Sequence, residues 1–274
     1  MPETAIPFTS LAAGARAVLL CGNAEEKARL AHAVAKSWRT GELALASPDD
    51  APMPVRPNRP ARPELLSHRD MPKRTFKGPR GRFALLHALA HIELNAIDLA
   101  FDMAGRWAQA ELPRAFFDDW VQVGDDEAKH FLAIEGRLKA MEGTYGDLPA
   151  HNGLWETAEE TRHDLLARLA VVPMVLEARG LDVTPGMIEK LKAAQDHASA
   201  DVLTMIYRDE QQHVGAGTRW FSYLCHSQGL LAEPTFHRLV RKHFRGLLKH
   251  PFNVEARDVA GLTPPFYLPL STAG

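Results

Sequence analysis

Cysteine is nearly missing from this chain. Among 274 residues only Cys21 and Cys225 occur, far apart and in no ligand-like spacing. They provide neither a disulfide framework nor a thiolate metal site, and their scarcity suits a reducing cytoplasm. An excess of charge of either sign is also missing. The 32 Lys and Arg residues against 34 Asp and Glu leave a formal net charge of −2, which argues against a dedicated nucleic-acid binder and leaves only local patches open. The apolar run Ala17 to Cys21 is too short for a signal sequence, and no stretch approaches the ~18 apolar residues of a membrane span. The expectation is a soluble cytoplasmic protein with no membrane partner. Convincing strand pairs are absent too, so the predicted class is all-α. The length suits one large domain, or one domain with extensions.

What is present divides into four stretches. Residues 1–45 read as an N-terminal helical extension with one helical pattern. Asn23 is its N-cap, Leu30, Val34 and Trp38 (with Ala31 and Ala35) form its apolar face, and Gly41 is its end. Residues 46–81 form an arm that eight prolines from Pro48 to Pro79 keep out of regular helix. The same stretch, to the start of the bundle, is also basic, with Arg56, Arg59, Arg62, Arg69, Lys73, Arg74, Lys77, Arg80 and Arg82. Two readings stand for this arm: an extended strip packed on the protein's own surface, and a strip facing a polyanion. Residues 82–228 read as the bundle. One helix covers about 82–111, and a second runs from Pro113 to about Met141. A loop at 143–153 leads to a third over about 155–179, ended by Gly180. Thr184-Pro185 then caps and starts a short helix to about Ala194, and a long helix spans Asp196 to Ser227. Residues 229–274 hold a helix near 234–248 and an irregular, proline-containing tail.

The bundle carries a repeated pattern. Glu93 lies on the first helix, and Asp126-Glu127-Ala128-Lys129-His130 on the second. Glu177 lies on the third, and Asp209-Glu210-Gln211-Gln212-His213 on the last. Each lone Glu precedes its Glu-x-x-His by nearly the same interval, so the chain reads as two similar helical hairpins. Positions i and i+3 share a helix face, which aims each carboxylate and imidazole at one point. Four Glu and two His from four helices make the donor set of a di-metal carboxylate bundle. Oxygen and imidazole donors suit iron or manganese. Two divalent cations would cancel the four carboxylate charges, which could not otherwise share a bundle interior cheaply. The metal candidates are therefore Glu93, Glu127, His130, Glu177, Glu210 and His213.

Their neighbours extend the pattern. Asp126 and Asp209 sit one turn before His130 and His213 and could orient a ligating ring through its second nitrogen. Tyr207, one turn before Glu210, could contact the metal pocket, although a packed core tyrosine accounts for it as well. Pro173, one turn before Glu177, should kink its helix. His87, His91, His163 and His197 read as supporting or structural residues, and Trp107, Trp120 and Trp220 as core or interface.

These residues resemble the ferritin-like superfamily, and within it an uncharacterised bacterial family labelled domain of unknown function 455. The resemblance rests on Gly81-Arg82, His87 with His91-Ile92-Glu93, Asp126-Glu127 with His130, and Glu177-Ala178-Arg179-Gly180-Leu181-Asp182. It continues through Thr184-Pro185, Asp209-Glu210 with His213-Val214, and Pro251-Phe252-Asn253 with Ala256-Arg257 and Ala260-Gly261. It implies a ferritin-like four-helix bundle and the same six ligands. The further implication is a di-iron oxidoreductase of hydroxylase-like type that activates O2 or peroxide, with two iron ions (or manganese) as cofactor. A small-molecule or RNA substrate, an electron-donor protein and a homodimer are the partners such a reading admits. Iron binding without an organic substrate, and a metal-stabilised interaction module, are the alternatives. How the second helix connects to the third is left open.

Overall fold

The computed structural model describes residues 8–67, 69–72 and 77–272. The chain divides into two compact units, 1–152 and 153–274, and its regular structure is helical apart from one pair of two-residue strands.

The first unit holds α1 (Leu11–Leu20), α2 (Ala24–Arg39), α3 (Gly78–Arg106) and α4 (Arg114–Ala140). The N-terminal stretch contains two helices where one was expected. The missed one, α1, is small and Ala-rich, and Ser10 caps it by accepting the Ala13 N–H at 3.0 Å. Asn23 caps α2 as expected, accepting from Glu26 N. The buried face of α2 runs through Lys27, Ala28, Ala31, Val34, Ala35 and Trp38, so the stripe begins on a lysine. Helices α3 and α4 pack along each other, α1 lies on α3, and α2 lies on α4. Gly124 allows the α3–α4 approach, because a Cβ there would sit 2.6 Å from the Phe101 ring. Trp38 fastens α2 to α4 through Nε1 to Asp118 Oδ1 at 2.8 Å.

Helix α3 corrects the expectation that no segment resembles a membrane span. Its best 18-residue window has a mean hydropathy of 1.3, long and apolar enough to cross a bilayer, yet 72% of that window is buried inside the protein. A helix covered on several faces needs that composition for its own packing.

The proline-rich arm between α2 and α3 lies partly on the unit's own surface. Arg59 turns inward, its guanidinium 3.2 Å from Asp98 Oδ2 and donating to Asn95 Oδ1. Lys27 also pairs with Asp98 and donates to Leu19 O and Asn58 O. These two cations, Lys27 buried and Arg59 partly so, tie α1, α2, α3 and the arm together. Arg56, Arg62, Arg69, Lys77 and Arg80 stay exposed, while Lys73 and Arg74 lie outside the described residues. The arm also supplies β1 (Leu65–Leu66), which pairs in parallel with β2 (Ala150–His151). So short a pair carries no alternating pattern for sequence reading to detect.

The second unit holds α5 (Gly153–Glu160), α6 (Leu165–Val171), a π-helical segment (Val172–Glu177), α7 (Ala178–Ala193) and α8 (His197–Ser227). It continues with α9 (Ala232–His243), α10 (Val254–Val259) and α11 (Pro264–Tyr267), followed by one 3-10 turn. The expected single helix over 155–179 is thus broken before Asp164, which caps α6 by accepting the Ala167 N–H at 3.0 Å. Beyond the π segment the helix does not stop at Gly180. It runs through Gly180 and Thr184-Pro185 to Ala193, and Pro185 lies inside it. Pro185 has no N–H to give the Leu181 carbonyl. Asn253 Nδ2 supplies that bond from the tail at 3.1 Å, so the helix survives where proline was expected to begin a new one. The tail is not irregular either. Asn253 caps α10, and Thr263-Pro264-Pro265 opens α11. Helices α6 and α7 and the π segment pack on α8, with α9 on α6 and α8. Gly217 of α8 admits the Pro173 ring, since a Cβ there would lie 2.5 Å from it.

Candidate metal centre

Three of the six candidates meet in the first unit. Helix α3 brings Glu93 to the inner face of the α3–α4 pair, and α4 brings Glu127 and His130 on adjacent turns. His130 Nδ1 lies 3.2 Å from Glu127 Oε2 and 3.3 Å from Glu93 Oε2. Their ligand atoms all lie within 4.8 Å of one another. Glu93 is 4% exposed, and Glu127 and His130 are fully covered. Burial raises the Glu93 pKa well above the carboxylate range, and the Glu127 charge raises it further against a partial offset from His130. Two buried carboxylates beside one imidazole form a cluster that could hold a metal ion, and the donors fit a hard or borderline divalent cation.

The second unit carries the matching residues. On α8, Glu210 and His213 occupy one face with His213 Nδ1 3.8 Å from Glu210 Oε2, and their side chains are 12% and 2% exposed. Glu177 is the last residue of the π segment. In place of a sharp kink, Pro173 sits in the first turn of this wider coil, and Ala178 N–H reaches back five residues to Pro173 O. One extra residue in a turn rotates the remainder of a helix by about 100°. The π segment therefore sets the face on which Glu177 emerges, a feature that periodicity in the sequence does not reveal.

The supporting residues have partners of their own. Asp126 accepts from Lys129 Nζ at 2.7 Å and from Gln122 Nε2 at 3.0 Å. Asp209 and Tyr207 are half-buried on α8, and the Tyr207 hydroxyl accepts from Asn253 Nδ2 at 2.9 Å. His163 and His197 are exposed, while His87 and His91 are buried.

His91 belongs to a network that sequence reasoning did not assemble. Its Nε2 lies 2.9 Å from the His151 carbonyl, which can only accept, so Nε2 carries the proton. Nδ1 then accepts from the Tyr145 hydroxyl at 2.7 Å, and burial holds the Tyr145 proton in place by raising its pKa. His87 accepts from Gly146 N at 2.9 Å, and Glu135 from Tyr145 N at 2.9 Å. Together these bonds hold the loop after α4 on α3. The stability contributed by His91 depends on pH. Burial lowers its pKa from 6.5 to about 4, with Arg59 adding to the effect. The unfolded chain therefore takes up the proton first on acidification. This contribution is complete above about pH 6.5 and is lost as pH falls towards 4, by at most about 3 kcal/mol. Glu93, with its raised pKa, acts in the opposite sense as pH rises. Urea titrations of metal-free wild type and His91→Gln from pH 4 to 7 isolate the histidine. The difference between the two should shrink on acidification, and a constant difference would refute a neutral buried His91.

Comparison with known proteins identifies the family of the chain. The model of a family described as "Protein of unknown function (DUF455)" matches residues 20–268. A Haemophilus influenzae protein described as "Uncharacterized protein" is 44% identical over 209 residues, covering 74% of this chain and 73% of that protein. No solved structure matches. With a match that spans nearly all of the described chain, from the last residue of α1 through α11, the protein belongs to the DUF455 family.

Proposed function

We propose that the six residues form one di-iron carboxylate centre of the ferritin-like type. Its ligands are Glu93, Glu127, His130, Glu177, Glu210 and His213. Manganese is the alternative metal for the same donors. The proposed activity is oxidation of an organic substrate by O2 or peroxide, hydroxylase-like, with electrons delivered by a donor protein.

The observation that carries this reading is the buried Glu93–Glu127–His130 cluster. Burying two carboxylates side by side is costly unless cations compensate them. The π segment that ends at Glu177 supports it, because such coils occur frequently at functional sites. Two ferrous ions in such a centre would supply the electrons for reducing O2 or peroxide. The chain's own part is to give up the Glu93 proton as metal enters, to offer Nδ1 of His130 and His213, and to keep bulk water from the covered carboxylates.

Anaerobic loading with ferrous iron followed by exposure to O2 tests this. We expect O2 uptake in proportion to bound iron, with the iron still bound after gel filtration. Accumulation of ferric mineral would replace the oxidoreductase by an iron-handling protein. Bound iron with no O2 uptake would leave a metal-stabilised interaction module.

A further inference from the structure

We propose that Asn253 is a positioning residue that sets the separation of Glu177 and Glu210, an inference that rests on the metal-centre reading above. Its side-chain amide bridges α7 and α8. Nδ2 donates to Leu181 O at 3.1 Å and to the Tyr207 hydroxyl oxygen at 2.9 Å. Leu181 lies one helical turn after Glu177, and Tyr207 one turn before Glu210. One amide group therefore links the two helices at the level adjoining the two carboxylates.

The bridge is itself held rigidly. Asn253 Oδ1 accepts from Ala256 N at 3.2 Å, capping α10, and the Asn253 backbone N–H donates to Asp182 Oδ1 at 3.0 Å. Asp182 is gripped in turn by Arg257 through two hydrogen bonds of 2.8 and 2.7 Å. Every hydrogen-bonding group of the Asn253 side chain is thus engaged. Because Leu181 O has lost its helical donor to Pro185, the amide meets an acceptor that the helix itself leaves open. Tyr207 gains a defined place: its oxygen receives the amide and its own proton stays available for donation.

The bridge has a structural and a positioning component, and Pro185 separates them. In Pro185→Ala the new N–H can close the helix onto Leu181 O, so Asn253 is no longer needed to satisfy that carbonyl. Asn253→Ala should then cost much less stability than it does in the parent chain. It should still weaken binding of Mn(II) alone, followed by titration with the full chain, by about 10- to 100-fold, the range seen when a group orienting metal ligands is lost. Tyr207→Phe, which keeps the ring and loses the acceptor, should weaken Mn(II) binding in the same direction. Unchanged Mn(II) affinity for Asn253→Ala in the Pro185→Ala background would overturn the proposal. So would an affinity loss that disappears along with the stability loss. Failure of wild type to bind Mn(II) at all would count against the metal centre itself.

Discussion

Replacing Glu127 by Gln is expected to move two properties of the protein in opposite directions. In the metal-free chain Glu127 is fully buried beside Glu93, and its charge helps push the Glu93 pKa upward. An amide of nearly the same shape removes that repulsion and still offers an oxygen to the His130 ring. The metal-free protein should gain about 1–2 kcal/mol, the energy of a pKa displaced by roughly one unit through a neighbouring like charge. Metal affinity should fall by more than about 100-fold, because a ligand itself is altered, whereas the loss of an orienting group alone costs up to about that much. Thermal melts in chelator and a metal titration on the same preparations check both halves. A purely structural glutamate would give a destabilised metal-free protein and no change in metal affinity.

The second large effect lies away from the ligands. Arg257→Ala should destabilise the second unit by about 3–5 kcal/mol, because it strands the Asp182 carboxylate in the interior. The two side chains are 3% and 0% exposed. Their pairing is bidentate, and the guanidinium also lies 5.0 Å from the centre of the Phe252 ring and 4.6 Å from that of Tyr267. Arg179, the other cation near Asp182, is 3.4 Å away and substantially exposed, so it can compensate only in part. Asp182→Asn combined with Arg257→Met should recover much of the loss, since the pair is then replaced by a neutral amide and an apolar side chain of similar reach. Urea denaturation of the two variants distinguishes this from a surface ion pair, for which both would lie within about 1 kcal/mol of wild type.

The metal candidates were legible because helical geometry leaves a local mark. Glu-x-x-His needs only positions i and i+3 on one face, and its second occurrence weighs strongly against coincidence. The cap at Asn23 was readable for the same reason, being a contact within one turn. What failed in the reading depended on distant partners. Pro185 signals a helix start by every local rule, and only Asn253, far along the chain, supplies the bond that keeps it inside a helix. The π segment is invisible to a periodic pattern because it changes the period itself. Lys27 looks like a solvated lysine until Asp98 is seen beneath it. Arg59, counted in a basic strip, is spent on the same carboxylate.

Iron-edge anomalous diffraction from crystals of the ferrous-loaded full chain tests the di-metal centre most directly. We expect two peaks, with Glu93, Glu127, His130, Glu177, Glu210 and His213 as their ligands. No peak at these residues, or a single ion held by Glu93, Glu127 and His130 alone, would contradict it.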